Sequence, residues 1–174
     1  MIRDKYSLVS ELYELKDDMA NSGREVCVRG WVRTNRNNGH IGFMAVNDGT
    51  CFDNVQIVYD MDKNPEFKEA SKILTGCAVE AKGSFVITPE AKQPFEIAAQ
   101  EITLVGDCDS DYPLQKKRHS LEFLREIPHL RPRTNTFNAL FRVRSVLCGA
   151  IHEYFQKNGF LYITPPLITG NDAE

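Results

Sequence analysis

The chain has 174 residues, 42% of them hydrophobic and 26% charged, with a net charge of −3 from 21 basic and 24 acidic side chains. These proportions exclude a disordered polypeptide, and the charge balance excludes a nucleic-acid binder that is basic over its whole surface, though not one with a local basic patch. No apolar run approaches the roughly 20 residues that a bilayer span requires, and the polar, acidic start MIRDKYSLVSELYELKDD does not have the pattern of a secretory signal. Cys27, Cys51, Cys77, Cys108 and Cys148 are odd in number, scattered and without a CxxC pair. They read as reduced thiols of a cytoplasmic protein, and no zinc site is expected.

In chain order, Leu8, Leu12, Leu15 and Met19 recur at helical spacing, which predicts an amphipathic helix over 7–20, stopped by Asn21-Ser22-Gly23 and closing one side of the domain that follows. Val26, Val28 and Val32 alternate with Cys27, Arg29, Trp31 and Arg33, the period of a half-buried strand. Gly30 interrupts that run and predicts a bulge or bend. Asn37-Asn38-Gly39 and Asp48-Gly49 have turn chemistry, so a second strand is expected over 41–47 and a third over 52–59. Residues 65–75 open with a proline and space Phe67, Ala70 and Leu74 helically. Strands over 77–87 and 95–105 follow, joined by a loop at 88–94. Three strands, a helix and two more strands within about 80 residues is the order of a five-stranded oligonucleotide/oligosaccharide-binding (OB) barrel.

A short acidic stretch, 106–111, suggests a boundary. Beyond it, YPLQKKRHSLEFLREIPHLRPRT carries Lys116, Lys117, Arg118, Arg125, Arg131 and Arg133 against Glu122 and Glu126. This block reads either as a solvated linker or as a set of phosphate contacts. Residues 136–157 form a long helix with Phe137, Leu140, Leu147, Ile151 and Tyr154 along one side, and Gly159 is placed to end it. Phe160–Ile163 reads as a strand running into Pro165-Pro166. One helix and one strand cannot build a core by themselves, so this end is expected to need more chain or a second subunit.

Arg36, Phe43 and Gln56 form the sharpest candidate set. An aromatic on an open strand face stacks on unpaired bases, and an arginine and a glutamine supply hydrogen bonds that choose among them at the Watson–Crick edge. Gln56 carries both a donor and an acceptor and so matches a uracil edge. Gly42, beside Phe43, is expected to let another group approach. Phe43 has a competing reading as ordinary core, and Gln56 as part of a solvated strand face. His40, His119, His129 and His152 are isolated, without metal-ligand spacing, and neither a Walker loop nor GxGxxG is present. No catalytic set emerges by spacing.

GWVRTNRNNGHIGFMAVNDGTCFDNVQIV, YPLQKKRHSLEFLREIPHLRPRTNTF and KNGFLYITPPLIT together resemble bacterial asparaginyl-tRNA synthetases, over nearly the whole chain. The resemblance implies a mainly β fold: an OB anticodon-binding barrel with an N-terminal helix over 1–106, a linker over 107–135, and the first helix and strand of an incomplete class II α+β catalytic domain over 136–174. It implies that Phe43 stacks on the central anticodon base, a uracil, and that Arg36 and Gln56 hydrogen-bond it. The 88–94 loop corresponds to the region that reads the third anticodon base in related synthetases. Pro166 matches the proline of class II motif 1, which builds a homodimer interface. Glu174 matches the acid that contacts the substrate ammonium. Motifs 2 and 3, which hold ATP, are expected beyond residue 174, so the family's ATP and Mg²⁺ are not expected on this chain, and the 174 residues alone are expected to recognise tRNA without catalysis. Two alternatives remain open: a fragment of an aspartate-using ligase, and a free-standing OB module for single-stranded nucleic acid.

Overall fold

The computed structural model describes residues 6–166, 168 and 170. Two compact units divide the chain, at 1–130 and 131–174, so the expected 107–135 linker is shared between them.

The first unit is built on five strands: β1 (Glu25–Asn37), β2 (Ile41–Asn47), β3 (Val55–Asp60), β4 (Ala78–Ile87) and β5 (Phe95–Gly106). They close into a barrel in the order β1-β2-β3-β5-β4. All neighbours are antiparallel except β3 and β5, which run parallel with Ile57 opposite Ile97. The period-two pattern directs Met44, Val46, Val55, Ile57, Phe85 and Ile97 into the interior, where they are fully buried.

Closure depends on β1, which pairs with β4 through Glu25–Trp31 and with β2 through Trp31–Asn37. Gly30 sits at the changeover, where a Cβ would lie 2.6 Å from the Asn47 carbonyl oxygen. A register shift follows between Val32 and Thr34. The expected irregularity is therefore present, and it lets a single strand serve two neighbours at a barrel corner.

The N-terminal helix is shorter than its pattern. α1 spans Val9–Glu14, followed by a 3₁₀ turn at Met19–Asn21. Lys16-Asp17-Asp18 interrupts it, because short acidic side chains favour local bonds over the helical ladder; Asp18 Oδ1 accepts from Ala20 N at 3.0 Å, and Met19 is exposed. Six residues do not hold a helix in water unaided. α1 persists because its first amides are capped from elsewhere in the chain: Val9 N donates to Asp48 Oδ2 (2.8 Å) and Ser10 N to Thr50 Oγ1 (3.1 Å). Val9 and Leu12 are buried in the barrel core, and Tyr13 packs edge-on to Phe95. The helix closes one side of the barrel, as the sequence pattern implied.

α2 is likewise reduced, from an expected 65–75 to Phe67–Ala70. Asn35 of β1 ends it. Its Nδ2 donates to the carbonyls of Ala70 (2.9 Å) and Ile73 (3.0 Å), taking acceptors that a longer helix would use internally. β3 also begins later than expected, at Val55, because Asn47 Nδ2 donates to the carbonyls of Cys51 and Asp53 and holds 51–53 as a loop. α3 (Leu121–Glu126) forms within the basic block, its first turn capped by Ser120 Oγ, which accepts from Phe123 N.

The second unit contains a 3₁₀ turn at Arg131–Arg133 and the 23-residue helix α4 (Asn135–Lys157). The strand expected at Phe160–Ile163 does not form. A strand requires a neighbouring strand for its amides and carbonyls, none of the described residues forms a ladder with this segment, and the Phe160 amide instead donates to the Phe155 carbonyl at the end of α4 (3.1 Å). No helix among the described residues is long and apolar enough to cross a membrane.

Candidate nucleic-acid interface

Since Met44, Val46, Val55 and Ile57 point inward, the residues between them stand on the outer face of the sheet. Phe43 is one of these. It is half-buried on the outside of β2, so the core reading does not hold for it. The register places Arg36 of β1 on one side of Phe43 and Val58 of β3 on the other. The Arg36 guanidinium lies 5.5 Å from the Phe43 ring centroid, within cation–π range. Gln56 occupies the same outer face, opposite Ala45. The three candidate residues therefore share one face, on which the register also places Ala45, Val58 and Ala98.

Gly42 has a different role from the one its sequence position suggested. It faces inward, and a Cβ there would overlap the ring of Tyr59. The group that approaches is thus a core tyrosine, not a ligand. Tyr59 is buried, and its hydroxyl donates to Asn35 Oδ1 at 2.8 Å. Burial pushes that phenol's pKa up. Gly42, Tyr59 and Asn35 thereby tie β1, β2 and β3 to the end of α2.

Glu96 is a member of this face that sequence reading missed. Gln56 Nε2 donates to Glu96 Oε2 at 3.4 Å. The two residues are 40 positions apart, and only the parallel pairing of β3 with β5 makes them neighbours. The turn at one end of the face is built by side chains: Asn38 Oδ1 accepts from His40 N (3.0 Å) and Ile41 N (2.8 Å), and His40 Nδ1 lies 2.8 Å from Asp62 Oδ2. The 88–94 loop is closed by Thr88, whose amide donates to the Pro94 carbonyl and whose hydroxyl donates to the Gln93 carbonyl.

A second polar cluster lies on β1 and β4. The Arg29 Nε and Nη2 both reach Glu80 Oε2 at 2.6 Å, and the guanidinium stacks 3.9 Å from the Tyr6 ring centroid. The hydrogen bond from Arg29 is the main cause that holds the Glu80 carboxyl below the usual carboxylate range. Lys82 bridges Glu101 at 2.7 Å. Every partner here is already matched, which marks the cluster as a clamp between strands and the N-terminal segment. Pro166 is exposed and lies outside any strand, and Glu174 falls outside the described residues.

Residues 26–105 match the tRNA_anti-codon family, described as an OB-fold nucleic acid binding domain, and the closed five-stranded barrel is of the OB class. Along its length the chain is 53% identical to the asparagine–tRNA ligase of Clostridium acetobutylicum over 167 residues, covering 96% of this chain and 35% of that protein. The chain spans about a third of the length of the curated asparagine–tRNA ligases it resembles. Its fold is shared with the asparaginyl-tRNA synthetase of Pyrococcus horikoshii in complex with asparaginyl-adenylate (TM-score 0.80, 24% identity, 96% of this chain and 37% of that one). It is shared equally with the aspartyl-tRNA synthetase of Entamoeba histolytica (TM-score 0.79, 22% identity, 94% and 40%).

Proposed function

We propose that the outer face of β1–β2–β3 binds the anticodon loop of an asparagine-specific tRNA, as the recognition part of a cytoplasmic enzyme that joins asparagine to that tRNA. The observation that carries this reading is the placement of Arg36, Phe43 and Gln56 on one open surface. Phe43 offers a stacking plane to the central anticodon base, and Arg36 and Gln56 read its edge. The identity to asparagine–tRNA ligases supports asparagine over aspartate. The fold does not bear on that choice, since both enzymes share it.

In the whole protein, ATP and Mg²⁺ would drive the ligation, and subunits would pair through α4 and the segment containing Pro166. Among the described residues no three His, Cys, Asp or Glu side chains converge where a metal ion could sit. We assign the chemical step to the family's ATP-holding motifs 2 and 3, to which the resemblance matches no segment of these 174 residues. The 174-residue chain is accordingly expected to show no asparagine-dependent exchange between ATP and pyrophosphate; turnover in that assay would place catalysis here after all.

The test of the recognition site is binding of the 174-residue chain to a hairpin bearing the asparagine anticodon. Phe43→Ala should weaken it by about 1–3 kcal/mol, the range for one base–aromatic stack. Unchanged affinity would remove Phe43 from the site. Equal affinity for unrelated oligonucleotides would favour a non-selective single-strand binder instead.

A further inference from the structure

The turn between β1 and β2 holds an Asn-Gly pair, Asn38-Gly39, and a second pair, Asn158-Gly159, follows α4. An asparagine before a glycine can modify itself, because the glycine nitrogen attacks the side-chain carbonyl carbon and no Cβ on the glycine stands in the way. Geometry sorts the two pairs. Asn38 is exposed, and its side chain curls forward: Oδ1 accepts from His40 N (3.0 Å) and Ile41 N (2.8 Å). An oxygen fixed on the amides two and three residues ahead draws Cγ toward the Gly39 nitrogen that lies between. The Gly39 N–H donates to Asn37 Oδ1 (3.2 Å), an acceptor beside the proton that must leave. Asn158 is built the other way. Its Nδ2 donates back to the Tyr154 carbonyl (2.7 Å), and the Gly159 amide donates back to the Gln156 carbonyl (3.1 Å). Side chain and nucleophile are both turned onto the helix.

We propose that Asn38 is a self-modification site: it deamidates in the folded barrel faster than Asn158, and the acid it becomes weakens nucleic-acid binding by the adjoining face. Gly39 N loses its proton and bonds to Asn38 Cγ. The Cγ–Nδ2 bond breaks, and the amide nitrogen takes up a proton and leaves as ammonia. The five-membered imide then adds one water at either of its carbonyls, giving aspartate at position 38 or its isoaspartyl isomer. Water is the only co-reactant. In the tetrahedral step negative charge develops on Oδ1, the atom already held by two backbone N–H groups, which is the arrangement of an oxyanion hole. Either product replaces a neutral amide by a carboxylate at the turn that joins the strands of Arg36 and Phe43, where it repels phosphates. The chemistry stands on the turn alone. Its effect on binding rests on the reading of the outer face given above.

The measurement is peptide mapping by mass spectrometry of the 174-residue chain aged at neutral pH, folded and in denaturant. In denaturant the two Asn-Gly bonds should convert at rates within about threefold of each other, since little beyond local sequence then acts on them. In the folded chain Asn38 should outpace Asn158 by at least about tenfold, a modest part of what fixed oxyanion donors supply. A folded ratio equal to the denatured one, or a reversed one, overturns the inference. For the consequence, Asn38→Asp keeps the acceptor oxygen that holds the turn and so supplies the aspartate product in a folded chain. It should bind the hairpin bearing the asparagine anticodon about threefold or more weaker than the unaltered chain at low salt, with the deficit shrinking as salt is added. Equal affinity overturns the consequence and leaves the outer-face reading intact. Absence of hairpin binding by the unaltered chain would instead remove that reading, and the consequence with it, while the mapping still decides the chemistry.

Discussion

Position 42 shows how far a single missing atom reaches. Gly42 lies next to Phe43 on the strand, yet the two side-chain positions serve opposite faces. An alanine there would overlap the Tyr59 ring. The ring would have to leave its place and break its bond to Asn35 Oδ1, which in turn would free Asn35 from the end of α2. Gly42→Ala is therefore expected to destabilise the barrel by about 1–3 kcal/mol, the usual cost of overpacking a close-packed interior, read as a lowered midpoint in chemical denaturation. Binding should fall with it, because Phe43 and Arg36 stand on the strands that Tyr59 spaces. Of the site residues, Phe43 was left between core and outer face by the sequence, and the burial pattern of β2 decided for the outer face. The roles of the site residues came from the family resemblance. Glu96 had no local signal, since its significance depends on a neighbour 40 residues away.

At the scale of elements, the strands were legible and the short helices were not. A strand in a closed barrel has one buried face, and its period-two pattern survives in the sequence. α1 and α2 each lose part of their expected length to bonds from distant residues, Asp48 and Thr50 at one start and Asn35 at one end. The β1–β4 seam carries a testable consequence. Glu80 has its pKa lowered chiefly by the hydrogen bond from Arg29. A carboxylate with a lowered folded-state pKa contributes stability that is fully present above its unfolded value, near 4.3, and that is lost as pH falls through the folded value. Glu80→Gln should therefore be less stable than the unaltered chain at pH 7, by about 1 kcal/mol because Arg29 is half open to solvent and the pair is screened. The gap should begin to narrow as the pH drops below about 4 and close only once the pH is below the lowered folded value. Thermal melts at pH 7 and at a series of steps down through the acid range give both arms, and a gap that does not narrow at all would show that shape, not charge, makes the seam.

At the scale of the whole molecule, the two units differ in what they bury. The barrel encloses a continuous core. α4 buries none of its residues, and Leu140, Val143, Val146, Leu147, Ile151, Tyr154 and Phe155 are all exposed along it. Exposed apolar area of that extent is characteristic of a surface that is covered by more protein. The 174-residue chain is thus expected to self-associate with rising concentration. Leu147→Lys combined with Ile151→Lys should return it to a single slow species in sedimentation velocity. A concentration-independent profile for the unaltered chain would count against the expectation.

The sequence by itself determined the succession of strands along the chain and the turns, because alternation and turn chemistry act over a few residues, and it left Phe43 open between core and outer face. Only the tertiary structure decided where α1 and α2 stop, that Phe160–Ile163 lacks a ladder, that Gly42 serves Tyr59, and that Glu96 stands against Gln56. Each of those outcomes is a hydrogen bond or a contact between segments that closure of the barrel brings together, or the absence of one, and such pairings leave no periodic trace in the chain.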